Sequence, residues 1–295
     1  MHNDLVELGW TEEQWNRVTG AVTEEAQRAR VATQMLPIVG PEDSSTVAVP
    51  GFELAPEANP APPPAQRLGV NSAPTLFLLT VAVNLQLRSV EVGDPTLKAA
   101  LGLFRRAANQ IARIEDALIF NGHGANMLPP SGIAGIPPVY SVTGGGGPAS
   151  GVVAMGPQLG GRFYQKLPPN WQGTDVINAV VAAIGSLDNV GQQGPYACAL
   201  SQNLFDAICT PNANLVMPRD RILPFLQGPL LRASVLPANH GVVVSLGAAP
   251  VEVVVASDLS VRYLQSTLEP RYVFRISERV AVRVREENAI AVIGP

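Results

Sequence analysis

The chain has 295 residues, 46% hydrophobic and 15% charged, with a formal net charge of −4 and a pI near 5.5. That is the composition of a globular protein of one or two domains, without the basic excess of a non-specific nucleic-acid binder. Its two cysteines, Cys198 and Cys209, have no metal or redox spacing and imply reduced thiols in a cytosolic setting. The N-terminus, MHNDLVELGWTEEQWNR, has no basic n-region or apolar h-region, and no run of ~18 apolar residues is present to cross a membrane, so a cytoplasmic protein is expected.

Residues 11–35 read as a first amphipathic helix. Thr11 and Gln14 form a capping-box pattern, and Trp15, Val18, Val22 and Ala26 recur at helical spacing. SSTVAVPGFEL then alternates briefly like a strand, before a Pro-rich run over residues 55–74 that favours extended geometry. The stretch after it, TLFLLTVAVNLQL, is strand-like again. The two flanking stretches are either the ends of a linker or the legs of a long hairpin arm, and such an arm would need a neighbour to bury its apolar side.

The longest helical pattern is Pro95 to Gly122. Leu97, Leu101, Phe104, Ala108, Ile111 and Leu118 make one apolar stripe, with Asp94-Pro95 as start signals and Asn121-Gly122 as the stop. At ~1.5 Å per residue it reaches roughly 39 Å. Residues 123–173 look loop-rich. The glycine run Gly144 to Gly147 is followed by no Lys-Ser or Lys-Thr, so it reads as a surface insertion and not a phosphate cradle.

From Thr174 a helical face of Val176, Ile177, Val180, Ile184 and Leu187 is followed by a strand ending at Leu200, a short helix capped by Ser201, and the strands HGVVVSLG and PVEVVVAS. This is an α+β arrangement. The last element, PRYVFRISERVAVRVRE, has a strict period of two. Tyr272, Phe274, Ile276, Val280 and Val282 fall on one side, with Arg271, Arg275, Arg279, Arg283 and Arg285 on the other. The arginine face fits a solvated sheet surface, ion pairs to a neighbouring subunit, or nucleic acid; the acidic pI weighs against the third.

No catalytic constellation emerges. The three histidines, His2, His123 and His240, have no chelate spacing, and no Gly-x-Ser-x-Gly, Cys-x-x-Cys or Gly-x-Gly-x-x-Gly motif is present. Glu115 and Asp116 are adjacent on a helix, diverge by ~100° and cannot serve one substrate as an acid pair. They read as ion-pair partners or contacts to an adjoining sheet. The expectation is a structural protein with no enzymatic activity, no metal and no cofactor.

The order of parts resembles the encapsulin, or linocin-type bacteriocin, family. The carriers are TEEQW in the first helix, E-D-x-x-I-F-x-G at Glu115 to Gly122, Gly-Ile-x-Gly-Ile at Gly132 to Ile136, Gly-Pro-Tyr at Gly194 to Tyr196 and Asp-Leu-Ser at Asp258 to Ser260. The resemblance covers most of the chain. It implies the tailed-phage major-capsid fold, with a spine helix, a peripheral domain, an axial domain and an extension arm. The corresponding division is an N-terminal helix and start of the peripheral domain at 1–46, the arm at 47–92, the spine helix at 93–136, a loop-rich insertion at 137–173, the axial domain at 174–257 and C-terminal peripheral strands at 258–295.

What the resemblance implies for function is self-assembly into a closed icosahedral shell around a cargo protein, with no membrane or nucleic-acid partner. A phage or prophage capsid that packages DNA is the alternative; a chain that begins directly with its helix favours the encapsulin. By the same resemblance Thr210, Asn212, Asn214 and Met217 belong to a pore loop at a symmetry axis, and Trp15, Val18 and Val22 are candidates for cargo docking. Pro62, Pro63, Pro64, Arg271, Arg275 and Arg279 are candidates for contacts between subunits. The flavin of some family members is not expected, because NLQLRSVEVGD lacks an aromatic at the corresponding place.

Overall fold

Helix α1 (Glu12–Ala29) opens on a complete capping box. Thr11 Oγ1 accepts from the Gln14 N–H at 3.2 Å, and the Gln14 side chain accepts from the Thr11 N–H at 2.9 Å. The apolar pattern runs on to residue 35, yet the helix stops at Arg30 and restarts as the one-turn α2 (Ala32–Met35). The cause lies outside the helix: the Asp116 carboxyl accepts from the Val31 and Ala32 N–H groups at 2.8–3.0 Å, satisfying donors that open the second helix. The structure, a computed structural model, describes residues 8–43, 45–56, 68–72, 74–123, 136–145, 149–154, 163–211, 217–267, 269 and 271–295.

Strands β1 (Ile38–Val39), β2 (Ala48–Pro50), β3 (Glu53–Pro56), β4 (Leu68–Asn71) and β5 (Thr75–Phe77) come next. β2 pairs antiparallel with β5, and β3 with β4, so the stretches flanking the Pro-rich run are two legs of one hairpin. The hairpin is shorter than the arm read from sequence. β6 (Leu79–Arg88), assigned there to the arm, is instead an interior strand of the body, and its inward residues Val81, Val83, Leu85 and Leu87 are buried.

After α3 (Ser89–Val92), the spine helix α4 spans Lys98–Asn121, 24 residues or about 36 Å. It starts three residues later than the Asp94-Pro95 signal suggests. Asp94 bonds the Thr96 N–H and hydroxyl in a tight turn, and Leu97 adopts φ 52°, which drives its side chain fully into the core before the helix begins. The far end obeys the sequence: Gly122 closes the helix at φ 75°, a conformation L side chains rarely adopt.

The remaining elements are β7 (Gly122–His123), β8 (Tyr140–Gly144), β9 (Ala149–Ser150), β10 (Tyr164–Lys166), α5 (Gly173–Asp188), β11 (Tyr196–Leu200), α6 (Gln202–Cys209), α7 (Pro218–Leu226), β12 (Gln227–Arg232), β13 (Gly241–Ser245), β14 (Val251–Ser266), β15 (Arg271–Val284) and β16 (Ile290–Gly294). They build two five-stranded sheets, ordered β1-β14-β15-β6-β8 and β10-β16-β13-β11-β12. Two parts of the sequence-based division move as a result. Residues 140–144, read as loop, form an edge strand on β6, and residues 290–294, read as peripheral, join the second sheet between β10 and β13. Both pairings are non-local, and periodicity carries no information about partners.

In the first sheet, β14 and β15 form a long antiparallel ladder of 16 and 14 residues. Spine helix and α1 cover its inward face, where Phe104, Ile111, Ile114, Phe274 and Ile276 are buried together. At its centre Trp10 stacks on Phe274 with centroids 5.4 Å apart, and Phe104 meets the same ring edge-on at 5.2 Å. The second sheet is buried on both faces, which explains unbroken apolar runs such as GVVVS in β13. Val243, Ala291 and Ile293 face α5, α6 and α7. Val242, Val244 and Val292 face α2, the spine-helix end at Ile119 and Phe120, and Val251, Val253 and Val280 of the first sheet. The end of the spine helix therefore locks the two sheets together.

Candidate assembly and docking surfaces

Trp15, Val18 and Val22 lie on the α1 face that packs against the spine helix, 5%, 0% and 1% exposed. A docked peptide cannot reach them, so their periodicity reports core packing within the subunit and not a binding face. What α1 offers to solvent is its opposite side. There Thr23 and Gln27, together with Arg30, Gln34, Asp258 and Leu259, line a cavity of about 330 Å³ between the helices and β14. Gly40 forms part of its rim at φ 119°, and a side chain there would meet the Val255 carbonyl oxygen at 2.1 Å.

Behind the cavity wall is a buried charge cluster. Arg30 donates to Glu115 on the spine helix at 2.6 Å and to Glu278 on β15. Glu115 and Glu278 are 1% and 3% exposed, and Asp116 is 2% exposed. Burial raises both glutamates above the ordinary carboxylate range, against the pull of Arg30; mutual repulsion raises Glu278 further. Burial also raises Asp116, to about 7, despite the two N–H groups that favour its charge. Sequence reasoning placed Glu115 and Asp116 as ion-pair or sheet contacts and missed Arg30 and Glu278. The available signal was Glu278 itself, a charged residue in the inward phase of β15 between Ile276 and Val280.

The arginine face of β15 is partly covered by the base of the arm. Arg279 donates to the Thr46 carbonyl at 2.9 Å and to Thr80 at 3.2 Å. Arg283 pairs with the buried Glu252, donates to the Pro50 carbonyl and stands 5.2 Å from the Phe52 ring centroid. Arg275 donates to Asn84, and Arg271 reaches Glu269 at 3.5 Å, both on exposed surface. Of the arginines read as subunit contacts, Arg271 and Arg275 thus remain exposed while Arg279 is engaged within its own subunit. Pro62, Pro63 and Pro64 lie outside the described residues.

Of the pore-loop residues, Thr210 and Met217 mark the two stems, at the end of α6 and the start of α7; Asn212 and Asn214 lie outside the described residues. Thr210 is exposed, its hydroxyl donating to the Asp206 carbonyl at 2.9 Å. Exposed Leu223 and Phe225 follow on α7. Cys209, at the loop base, is half-buried, whereas Cys198 on β11 is fully buried and burial pushes its thiol up to about 12. A thiol-specific chromophoric reagent is therefore expected to titrate one cysteine in the native protein, Cys209, and the second only after unfolding. Two equivalents at native rates would contradict the burial of Cys198.

Among the described residues no group of three or more His, Cys, Asp or Glu side chains is placed to hold a metal ion, and no helix is long and apolar enough to cross a membrane. A long spine helix on a long two-stranded ladder, a second helix-covered sheet and a hairpin seated on the arginine face of β15 define a subunit of the capsid type. The family described as the encapsulating protein for peroxidase matches residues 7–142 and 162–281, and the chain belongs to that family. It is a shell-forming structural protein.

Solved structures agree on the fold. The virus-like particle from Pyrococcus furiosus is similar at a TM-score of 0.65 and 14% identity, over 95% of this chain and 99% of that one. The holo-SrpI encapsulin complex from Synechococcus elongatus PCC 7942 gives 0.56 and 10%, over 89% and 86%. The capsid of Myoviridae Phage XM1 gives 0.58 and 12%, over 88% and 89%. No curated protein matches the sequence significantly.

Proposed function

We propose that many copies of this chain close into a hollow, icosahedral compartment in the cytoplasm that encloses a cargo protein, with a peroxidase as the first candidate from the family description. The observation that carries the reading is a hairpin whose base is tied to β15 by Arg279 and Arg283 while other hydrophobic side chains on it stay exposed, set on a two-sheet body whose sheets share one core. A shell subunit needs both: a body that sets the wall and an extension whose partners belong to neighbours. The exposed faces of Val47, Val70 and Phe77 on the hairpin support it.

The cavity between α1, α2 and β14 is the docking place for a short extended segment of the cargo. Its mixed lining supports this: amide and hydroxyl groups of Thr23, Gln27 and Gln34 for backbone recognition, beside Leu259 for an apolar side chain. Electron microscopy of the purified full chain is expected to find closed hollow particles, with a single co-purifying protein when the chain is produced alongside its genomic neighbours. Discrete monomers or dimers would overturn the assembly reading, and DNA-filled particles would favour the capsid alternative. Gln27→Trp, which fills the cavity without touching the core, should leave particles intact and cut co-purified cargo about tenfold, a loss of ~1.4 kcal/mol in docking. Unchanged cargo would move docking elsewhere.

A further inference from the structure

The charge cluster at the cavity wall is unbalanced. Arg30 is the cation that faces Glu115 and Asp116 from the spine helix, Glu278 from β15 and, across the cavity, Asp258 from β14. Two of these carboxyls, Glu115 and Glu278, share the one guanidinium. Glu278 Oε1 is buried with no donor group to meet it, and the Glu115 carboxyl is its hydrogen-bonding neighbour. Two carboxylates cannot bond to one another; a carboxyl and a carboxylate can, through one proton. The arrangement is therefore complete only when it holds a proton that the unfolded chain would release at neutral pH.

The same Arg30 ends α1, lines the cavity, and leads into the α2 turn whose first N–H groups are held by Asp116. We propose that this cluster is a proton-operated clamp: with one proton shared between Glu115 and Glu278 it fixes the α1–α2 junction against the spine helix and β15, and as that proton leaves with rising pH the repulsion between the two carboxylates, which one guanidinium cannot offset, loosens the junction and the cavity wall. The consequence for cargo rests on the docking role given above to the cavity: docking is firmer in mildly acidic than in alkaline solution.

The direction follows from linkage. Carboxyls raised in the folded state bind more protons folded than unfolded, so stability falls as pH rises from their unfolded values, near 4, towards their folded ones. For Asp116 that window runs from 3.8 to about 7. For Glu278, raised well above 4.5, it extends beyond its ordinary range.

The test is hydrogen–deuterium exchange of the full chain, prepared without cargo, over residues 26–36 at about pH 5.5 and about pH 8.5, corrected for the intrinsic rate. Protection of that segment is expected to fall about tenfold in the wild type, and by clearly less in Glu278→Gln, which keeps that carboxyl's neutral form permanently while Asp116 still titrates. Glu115→Gln is the second variant and should behave alike. An unchanged wild type, or the same fall in both variants, overturns the clamp. Because no cargo is present, a failure of the docking reading leaves this result untouched, and a failure here leaves the Gln27→Trp result untouched.

Discussion

Replacing Arg30 with alanine is expected to lower the stability of the subunit by ~3–5 kcal/mol, enough to abolish soluble particles at growth temperature. The reason is what remains. Glu115 and Glu278 are nearly inaccessible to water, and their remaining stabilising contact with positive charge is removed in one step. They would take up protons, but a protonated pair still leaves buried oxygen atoms without donors. The junction would also lose the tie between α1, the spine helix and β15, three elements that are distant in sequence.

Arg30→Lys should fall between, since a single ammonium cannot span two carboxyls as the guanidinium fork does. The informative comparison is the triple replacement Arg30→Met, Glu115→Leu, Glu278→Leu. With no charge left to desolvate, it is expected to match the wild type or exceed it by ~1–4 kcal/mol. Chemical denaturation of each variant at fixed subunit concentration makes the measurement. If the triple variant were as unstable as Arg30→Ala, the cluster would be acting through shape and not through charge balance.

Much of the architecture was legible because local chemistry and tertiary structure agree. The Thr11–Gln14 box, the stop at Gly122 and the period-two pattern of β15 each rest on interactions within a few residues or on one buried face. Where the sequence misleads, a distant group has intervened. The apolar pattern of the first helix continues through Arg30, and only the Asp116 carboxyl, 85 positions from Val31, breaks it. Ser201 has the right chemistry for a cap, but its hydroxyl donates to Asn203 instead.

The site was harder to read for a similar reason. By sequence, Trp15, Val18 and Val22 are docking candidates because the family resemblance places docking near the first helix, and an apolar stripe carries no label for what covers it. Here the spine helix covers it. The cavity on the other side of α1 is made by residues with no shared pattern, Thr23 and Gln27 on one helix and Asp258 and Leu259 on a strand more than two hundred positions away. Family resemblance supplied the capsid fold and the arm; the positions of Arg30 and Glu278 came only from the structure.

Phe274→Ala should be the most damaging change in the aromatic core, at ~3–5 kcal/mol. The ring is fully buried on β15, the central strand of the first sheet, and it meets Trp10, Phe104 and Tyr263 with centroids 5.4, 5.2 and 5.6 Å away. Removing it leaves a cavity bounded by rings from a loop, the spine helix and β14, none of which can shift alone to refill it. Trp10 is held besides by its indole N–H to the Val92 carbonyl at 2.9 Å, so its ring cannot slide into the space. Phe274→Leu keeps most of the volume and loses the ring geometry, about 0.5–1.5 kcal/mol for each aromatic pair. Thermal melting of the two variants should therefore rank alanine below leucine and leucine below wild type. A leucine variant as unstable as the alanine one would mean that ring stacking, and not filled volume, holds the spine helix to the sheet.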